Sequence, residues 1–342
     1  MVGRVVVGAA LAACLHVGAA EAADAPVTDC DRLAAAPFTV AGLAGVAIAS
    51  IDVARAQAAC DAARREAPDE ARFVAFLGRV ALAANRQADA VALFREAAAR
   101  GNAMAQTNLG VLTERGQGGV TQDAAEAVRL YRLAADQGYP VGQYNLAVMT
   151  ERGQGGLARN DAEAARLYRL AADKGYAQAQ YNLGVMLALG RGVARDDAEA
   201  ARLYRLASDQ GYAPAQSNLA IFLVEGRGGL ARDEAEALRL FRLAAAQGEP
   251  GAQSGLATMH RRGMGGLRRD DREAVRLYRL SADQGGVAGQ TGLAEMYEGG
   301  LGGLARNRQE AIRLYGLAAA QDYEPAREAL RRLGVASGGG KP

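Results

Sequence analysis

The stretch "LYRLAADQG" at residues 130–138 returns as "LYRLAADKG" from 167, "LYRLASDQG" from 203, "LFRLAAAQG" from 240, "LYRLSADQG" from 277 and "LYGLAAAQD" from 314. A blurred copy, "LFREAAARG", begins at 93. Aligned on their first residue, the copies start at Leu93, Leu130, Leu167, Leu203, Leu240, Leu277 and Leu314, a period of 37 with one step of 36. The short step traces to the loop "GRGVARD" at 190–196, which has one Gly fewer than "GQGGVTQD" or "GQGGLARN". A strict period of this length marks stacked supersecondary units, so the 342 residues cannot be converted into a domain count by length.

Each unit reads as two helices. Composition supports this: half the chain is apolar, Trp is absent and only eight Pro occur. The second helix opens seven residues before the anchor Leu, at Asp123, Asn160, Asp196, Asp233, Asp270 and Asn307, and three residues later comes Glu126, Glu163, Glu199, Glu236, Glu273 or Glu310. The pattern predicts a capping box, in which the Asp or Asn side chain accepts from the N3 amide while the Glu reaches back to the cap amide. Ala127, Leu130, Tyr131 and Ala134 fall at helical spacing on one apolar stripe, and Gly138, Gly175, Gly211, Gly248 or Gly285 closes the helix. The first helix carries Leu109, Leu146, Leu183, Leu219, Leu256, Leu293 and Leu330, the first six followed by Gly or Ala, which lets neighbouring helices approach closely. A hairpin this short cannot bury both faces alone, so the fold expected is all-α, an α/α superhelical solenoid of helical hairpins.

The stretch "AQYNLGVMLALGRGVARDDAEAARLYRLASDQG", residues 179–211, resembles a Sel1-like repeat, the longer-looped relative of the tetratricopeptide repeat. The resemblance covers 103–322 in six units. Residues 71–102 lack the Gly loop and capping pattern and resemble a tetratricopeptide unit serving as a cap; 323–334 read as a capping helix and 335–342 as a disordered tail. The resemblance implies an adaptor in complex assembly or signalling, including at bacterial envelopes. Some cysteine-rich members of the family are credited with hydrolysis of cell-wall material or β-lactams, which supplies the rival reading. This chain lacks their cysteine pair in each repeat.

The N-terminus, "MVGRVVVGAALAACLHVGAAEAADAP", carries Arg4, an apolar run and small residues before a cut after Ala22, the pattern of a signal peptide, residues 1–22, and of periplasmic export. "LAAC" ending at Cys14 keeps a lipid-anchored alternative open. No later run is long enough to span a bilayer. Export leaves Cys30 and Cys60, in the arm and first helix of 23–70, and an even pair in an oxidising compartment reads as a disulfide worth roughly 3–4 kcal/mol.

Candidate chemistry is sparse. The Gly-rich loops follow no strand and recur six times, so they read as turns rather than phosphate cradles. His260 has no second His beyond the His16 of the leader, so no metal, cofactor or triad site is expected. Arginine rows, Arg129, Arg166, Arg202, Arg239, Arg276 and Arg313, then Arg132, Arg169, Arg205, Arg242 and Arg279, are offset by Glu three before and Asp four after, which with a net charge of +2 argues against a nucleic-acid groove. The chain therefore reads as a non-enzymatic scaffold for a protein or peptide ligand. Four to six residues past the first-helix Leu the repeats diverge: Thr113, Thr150, Leu187, Leu223, His260 and Tyr297 occupy one slot, with Leu189 and Val224 beside it. A central apolar patch rimmed by charge is the expected partner surface. The alternative is that this helix end packs under the next loop.

Overall fold

The computed structural model describes residues 26–41 and 43–335; the expected signal peptide with Cys14, and the tail from 336, lie outside them. Among the described residues there are seventeen α-helices and no strand. Six hairpins pair Ala103–Arg115 with Ala124–Asp136, Pro140–Arg152 with Asp161–Asp173, Ala177–Leu189 with Asp197–Asp209, Ala213–Glu225 with Glu234–Ala246, Pro250–Arg262 with Asp271–Asp283, and Val287–Gly299 with Arg308–Ala319. These are repeats one to six. Ahead of them lie Asp29–Ala34, Val53–Glu66 and a hairpin of Ala71–Ala83 with Gln87–Ala99; Glu324–Arg332 closes the stack, with Leu330 buried.

The six second helices begin where the sequence places them, and each Asp or Asn side chain accepts from the N3 amide, Glu126 N–H to Asp123 at 2.9 Å and Glu163 N–H to Asn160 at 3.0 Å among them. The other half of the expected box does not form. The cap amide donates to the first helix of the same repeat, Asp123 to the Thr113 carbonyl at 3.0 Å, Asp196 to Leu187 at 3.0 Å and Asp270 to His260 at 2.9 Å. The Glu is thereby free, and a bidentate pair with the Arg three residues on holds it, as in Glu126–Arg129 at 2.7 Å. That guanidinium holds the Glu126 carboxyl below its usual range. All six Arg of this row are paired so; at such exposure each pair contributes only about 0.3–0.5 kcal/mol. The second row departs from expectation: among the described residues no ion pair joins Arg132 to Asp136, and of its five Arg only Arg169 has a carboxylate, Glu199, at 4.0 Å.

Packing explains the period. Tyr131, Tyr168, Tyr204 and Tyr315 are at most 2% exposed, beneath the anchor leucines, and a Cβ at Gly110 would lie 2.6 Å from the Tyr131 ring. The small residue after the first-helix Leu thus makes room for the ring of its own repeat's second helix. The middle glycine of the loop serves the stack as well: Gly155, at φ +64°, lies on the first turn of the preceding second helix, where any side chain would run into the Ala124 carbonyl. A row of glutamines ties the ends of second helices to a buried glutamine on the first helix of the same repeat. Gln137 donates to Gln106 at 2.8 Å, Gln210 to Gln180 at 2.8 Å and Gln284 to Gln253 at 2.9 Å. In repeat two Lys174 stands in the donor's place, and the Gln143 Oε1 is buried without a partner.

Successive first helices touch from Ala71–Ala83 to Pro140–Arg152 and again from Ala213–Glu225 to Val287–Gly299, whereas no comparable contact joins successive second helices. The stack therefore bends toward the first helices, whose outer edges form its concave side. At the N-terminal end Cys30 and Cys60 are fully buried, with Cα atoms 4.6 Å apart and sulfurs at 2.00 Å. No helix among the described residues is long and apolar enough to cross a membrane.

Candidate functional site

The concave side opens as a groove of about 740 Å³ over repeats one to three. Its floor is built from hydroxyl–carboxylate pairs. The Tyr131 hydroxyl donates to Glu114 at 2.7 Å and Tyr168 to Glu151 at 2.7 Å, joining the second helix of each repeat to its own first helix across 17 residues. Burial, followed by the hydrogen bond to Glu151, pushes the Tyr168 phenol well above its usual range, so it stays a donor at neutral pH. Arg191 of the short third loop reaches back to Glu151 and toward Asp161, tying repeat three to repeat two. Asn145 and Asn182 line the wall; Arg115 and Arg152 stand at the rim, exposed.

The pattern changes in two steps. Repeat three keeps Tyr204 but has Ala188 where Glu114 and Glu151 stand; repeat four has Val224 there and Phe241 in the tyrosine's place, so both halves of the pair are apolar together. The asparagine position, Asn108, Asn145, Asn182 and Asn218 in the first four repeats, becomes Gly255 in the fifth. Phe241 packs against Gly255, so that a Cβ there would collide with its ring. The result is a recess of about 210 Å³ lined by Ile221, Val224, Phe241, Thr258, Met259 and Met264, with Glu225 and Arg262 at its margin. In repeat five Tyr278 meets Thr258 at 2.9 Å, and in repeat six Tyr315 returns to the earlier arrangement, donating to Glu298 at 3.1 Å.

The expected partner patch is only partly surface. Leu187 is 4% and Leu223 5% exposed, both within the main core, a correction to their reading as partner residues. The cause is the slot itself, whose carbonyl accepts the next cap amide in all six repeats: Thr113, Thr150, Leu187, Leu223, His260 and Tyr297 at 2.9–3.1 Å. The constant duty is carried by main chain, so the side chain is free to differ while it packs. His260 and Tyr297 are half-buried in the same slot. Val224 is half-buried on the recess wall, and Leu189, at 64% exposure, is the one leucine of the group open to solvent. The residue pairs that shape the groove, Tyr–Glu and Phe–Val, were not singled out in the sequence. The signal was there, as a matched change of two positions 17 residues apart within one repeat.

The repeat family model described as "Sel1 repeat" matches residues 81–102, 103–139, 140–176, 177–212, 213–249, 250–286 and 287–323. It thus extends into the helix pair that lacks the Gly loop. Among solved structures, a Sel1 repeat protein from Oxalobacter formigenes is 28% identical, with a TM-score of 0.64, over 72% of this chain and 96% of its own. The protein c5321, described as a protective antigen present in uropathogenic Escherichia coli strains and displaying an SLR fold, is 32% identical, with a TM-score of 0.60, over 82% of this chain and 60% of its own. Among curated proteins, none matches the chain.

Proposed function

The chain belongs to the Sel1 repeat family, and from that premise we propose that it is an exported, non-enzymatic scaffold of the bacterial envelope that holds a protein partner along its concave side. The observation that carries the reading is the recess at repeats four and five. Exchanging a Tyr–Glu pair for Phe241 and Val224 can be neutral for stability, but here it leaves an apolar recess open to solvent beside the exposed Ile221 rather than a filled one. A partner's apolar side chain gains a dry socket there, beside a polar groove whose Tyr, Asn and Arg groups suit a main chain. Export is supported by the N-terminal pattern and by the proximity of Cys30 to Cys60, a pair that an oxidising compartment would bond.

The test is chemical cross-linking of the mature protein in envelope extract, with identification of the partner by mass spectrometry. A discrete envelope protein should be captured, and Ile221→Asp with Val224→Asp should lose it while circular dichroism stays unchanged. Non-reducing digestion should yield one linked Cys30–Cys60 peptide and an N-terminus at Ala23. Hydrolysis of peptidoglycan or a β-lactam by the pure protein, or capture untouched by both substitutions, would overturn the scaffold reading.

A further inference from the structure

Between the helices Asp29–Ala34 and Val53–Glu66 the chain leaves the stack as a strap. Its root is fixed: the Val46 N–H donates to the Ala35 carbonyl at 2.8 Å, and the Arg79 guanidinium, on a residue 3% exposed, donates to the carbonyls of Ala34, at 2.7 Å, and Val46. Its tip lies along the edge of the solenoid, where each second helix turns into the next first helix. There the Phe38 ring meets Tyr176 edge-on, centroids 6.0 Å apart at 81°, and Tyr139 points its hydroxyl at the Pro37 carbonyl, 3.5 Å away. The contact is loose. Phe38 remains 43% exposed, it holds φ at +64°, a region unfavourable for a side chain of this bulk, and a hollow of about 710 Å³ runs beside it to Gln178 and Gln210.

The seat under Phe38 is itself periodic. Tyr176 rests edge-on against Tyr144 at 5.2 Å, and Tyr144 against Tyr168 at 5.7 Å. One repeat later Tyr212 rests on Tyr181 at 5.5 Å, and Tyr181 on Tyr204 at 6.1 Å, with no aromatic ring of the described residues lying over Tyr212 as Phe38 lies over Tyr176. In repeat four the three positions become Ser217, Phe241 and Glu249, and the seat is gone. The chain therefore holds two copies of an aromatic seat, one filled by its own phenylalanine.

We propose that this edge is a second docking site, for an extended uncharged protein segment carrying an aromatic side chain, with Tyr212 as its open seat and the strap tip as the resident occupant of the other. The strap shows the chemistry accepted: Pro37, Phe38, Thr39 and Val40 carry no charge, and neither do Gln178 and Gln210 on one side of them, while Lys174 is the charged neighbour on the other. An edge-on pair between Tyr212 and an incoming ring repeats a contact the molecule already makes. The hollow beside the strap reaches neither Ile221 nor Val224, whereas Tyr144 and Tyr168 beneath the first seat also line the concave groove, so it is the recess at repeats four and five from which the edge is separate.

The probe is a fluorescein-labelled peptide of residues 34–41, titrated into the mature protein and followed by anisotropy. Saturable binding is expected, and Phe38→Ala, which frees the first seat, should raise the number of bound peptides from one toward two. Tyr212→Glu, the residue type of repeat four, should weaken binding to the intact chain by roughly three- to tenfold, the range of one aromatic pair. Tyr212→Phe keeps the ring and should restore it, which separates the seat from any loss of folding. Since the chain has no tryptophan, Phe38→Trp gives a single reporter whose emission should move to the red when excess peptide displaces it. Absence of saturable binding to Phe38→Ala, or binding indifferent to Tyr212→Glu, would overturn the site. So would loss of peptide binding in Ile221→Asp, which would assign the peptide to the groove while leaving the groove reading intact.

Discussion

Repeats one to three and repeats four to six share one backbone and differ in what they present. In both halves the Asp or Asn cap, the Glu–Arg pair, the buried anchor Leu and the glutamine row recur, because each holds main chain or core in place. The groove-facing positions part company. The first half has Tyr144, Tyr181, Asn145 and Asn182, with Glu114 and Glu151 accepting from tyrosine and Ala188 in the third repeat; the second has Ser217, Ser254, Gly255, Gly292, Val224 and Phe241, keeps Asn218, and regains the tyrosine–carboxylate pair only at Tyr315 and Glu298. A solenoid in which each unit touches only its neighbours can change one repeat's exposed positions without disturbing the rest. The division separates the positions that vary on the groove from those that hold the stack.

The sharpest way to break that division is at the slot where core and surface meet. Leu187→Ser should cost about 3 kcal/mol or more, because a buried side chain is lost and a hydroxyl is left in apolar surroundings. Leu189→Ser, two residues on and 64% exposed, should change stability by less than about 0.5 kcal/mol. Urea denaturation of the two variants compares them directly; equal losses would mean that the slot is not the boundary.

The hydroxyl–carboxylate pair is the next test. A double-mutant cycle on Tyr131→Phe and Glu114→Leu should give a coupling of about 1–2 kcal/mol, since either change alone takes the hydrogen bond from a partly buried polar partner. The converse cycle, Phe241→Tyr with Val224→Glu, should show each single change destabilising and the pair recovering part of the loss. Recovery would establish that repeat four differs from repeat two by a matched exchange. Independent additive effects would remove the argument for the recess as an adapted surface.

Smaller effects follow from two places where one repeat breaks a shared rule. Lys174→Gln should supply the donor that Gln143 lacks and raise stability by about 1 kcal/mol, read as a higher denaturation midpoint at unchanged slope. Asp322 stands at φ +62° where repeats one to five have glycine, so Asp322→Gly should gain a few tenths to about 1 kcal/mol, offset in part by its ion pair with Arg327.

The sequence by itself determined the solenoid. Helix starts at Asp123, Asn160, Asp196, Asp233, Asp270 and Asn307, the Gly ends and the apolar stripes are local signals repeated six times, and local signals survive without knowledge of the partner surface. Only the tertiary structure decided where the Glu of each cap goes, because its rival for the cap amide is a carbonyl ten residues upstream, or nine in the shortened third repeat, such as Thr113 for Asp123. The same holds for Leu187 and Leu223. Their variability looked like adaptation to a partner, yet a slot whose fixed role belongs to the main chain can change its side chain and stay in the core. The seating of Phe38 on Tyr176 joins residues 138 positions apart and carries no periodic mark, so nothing short of the folded stack could have brought the strap to that edge.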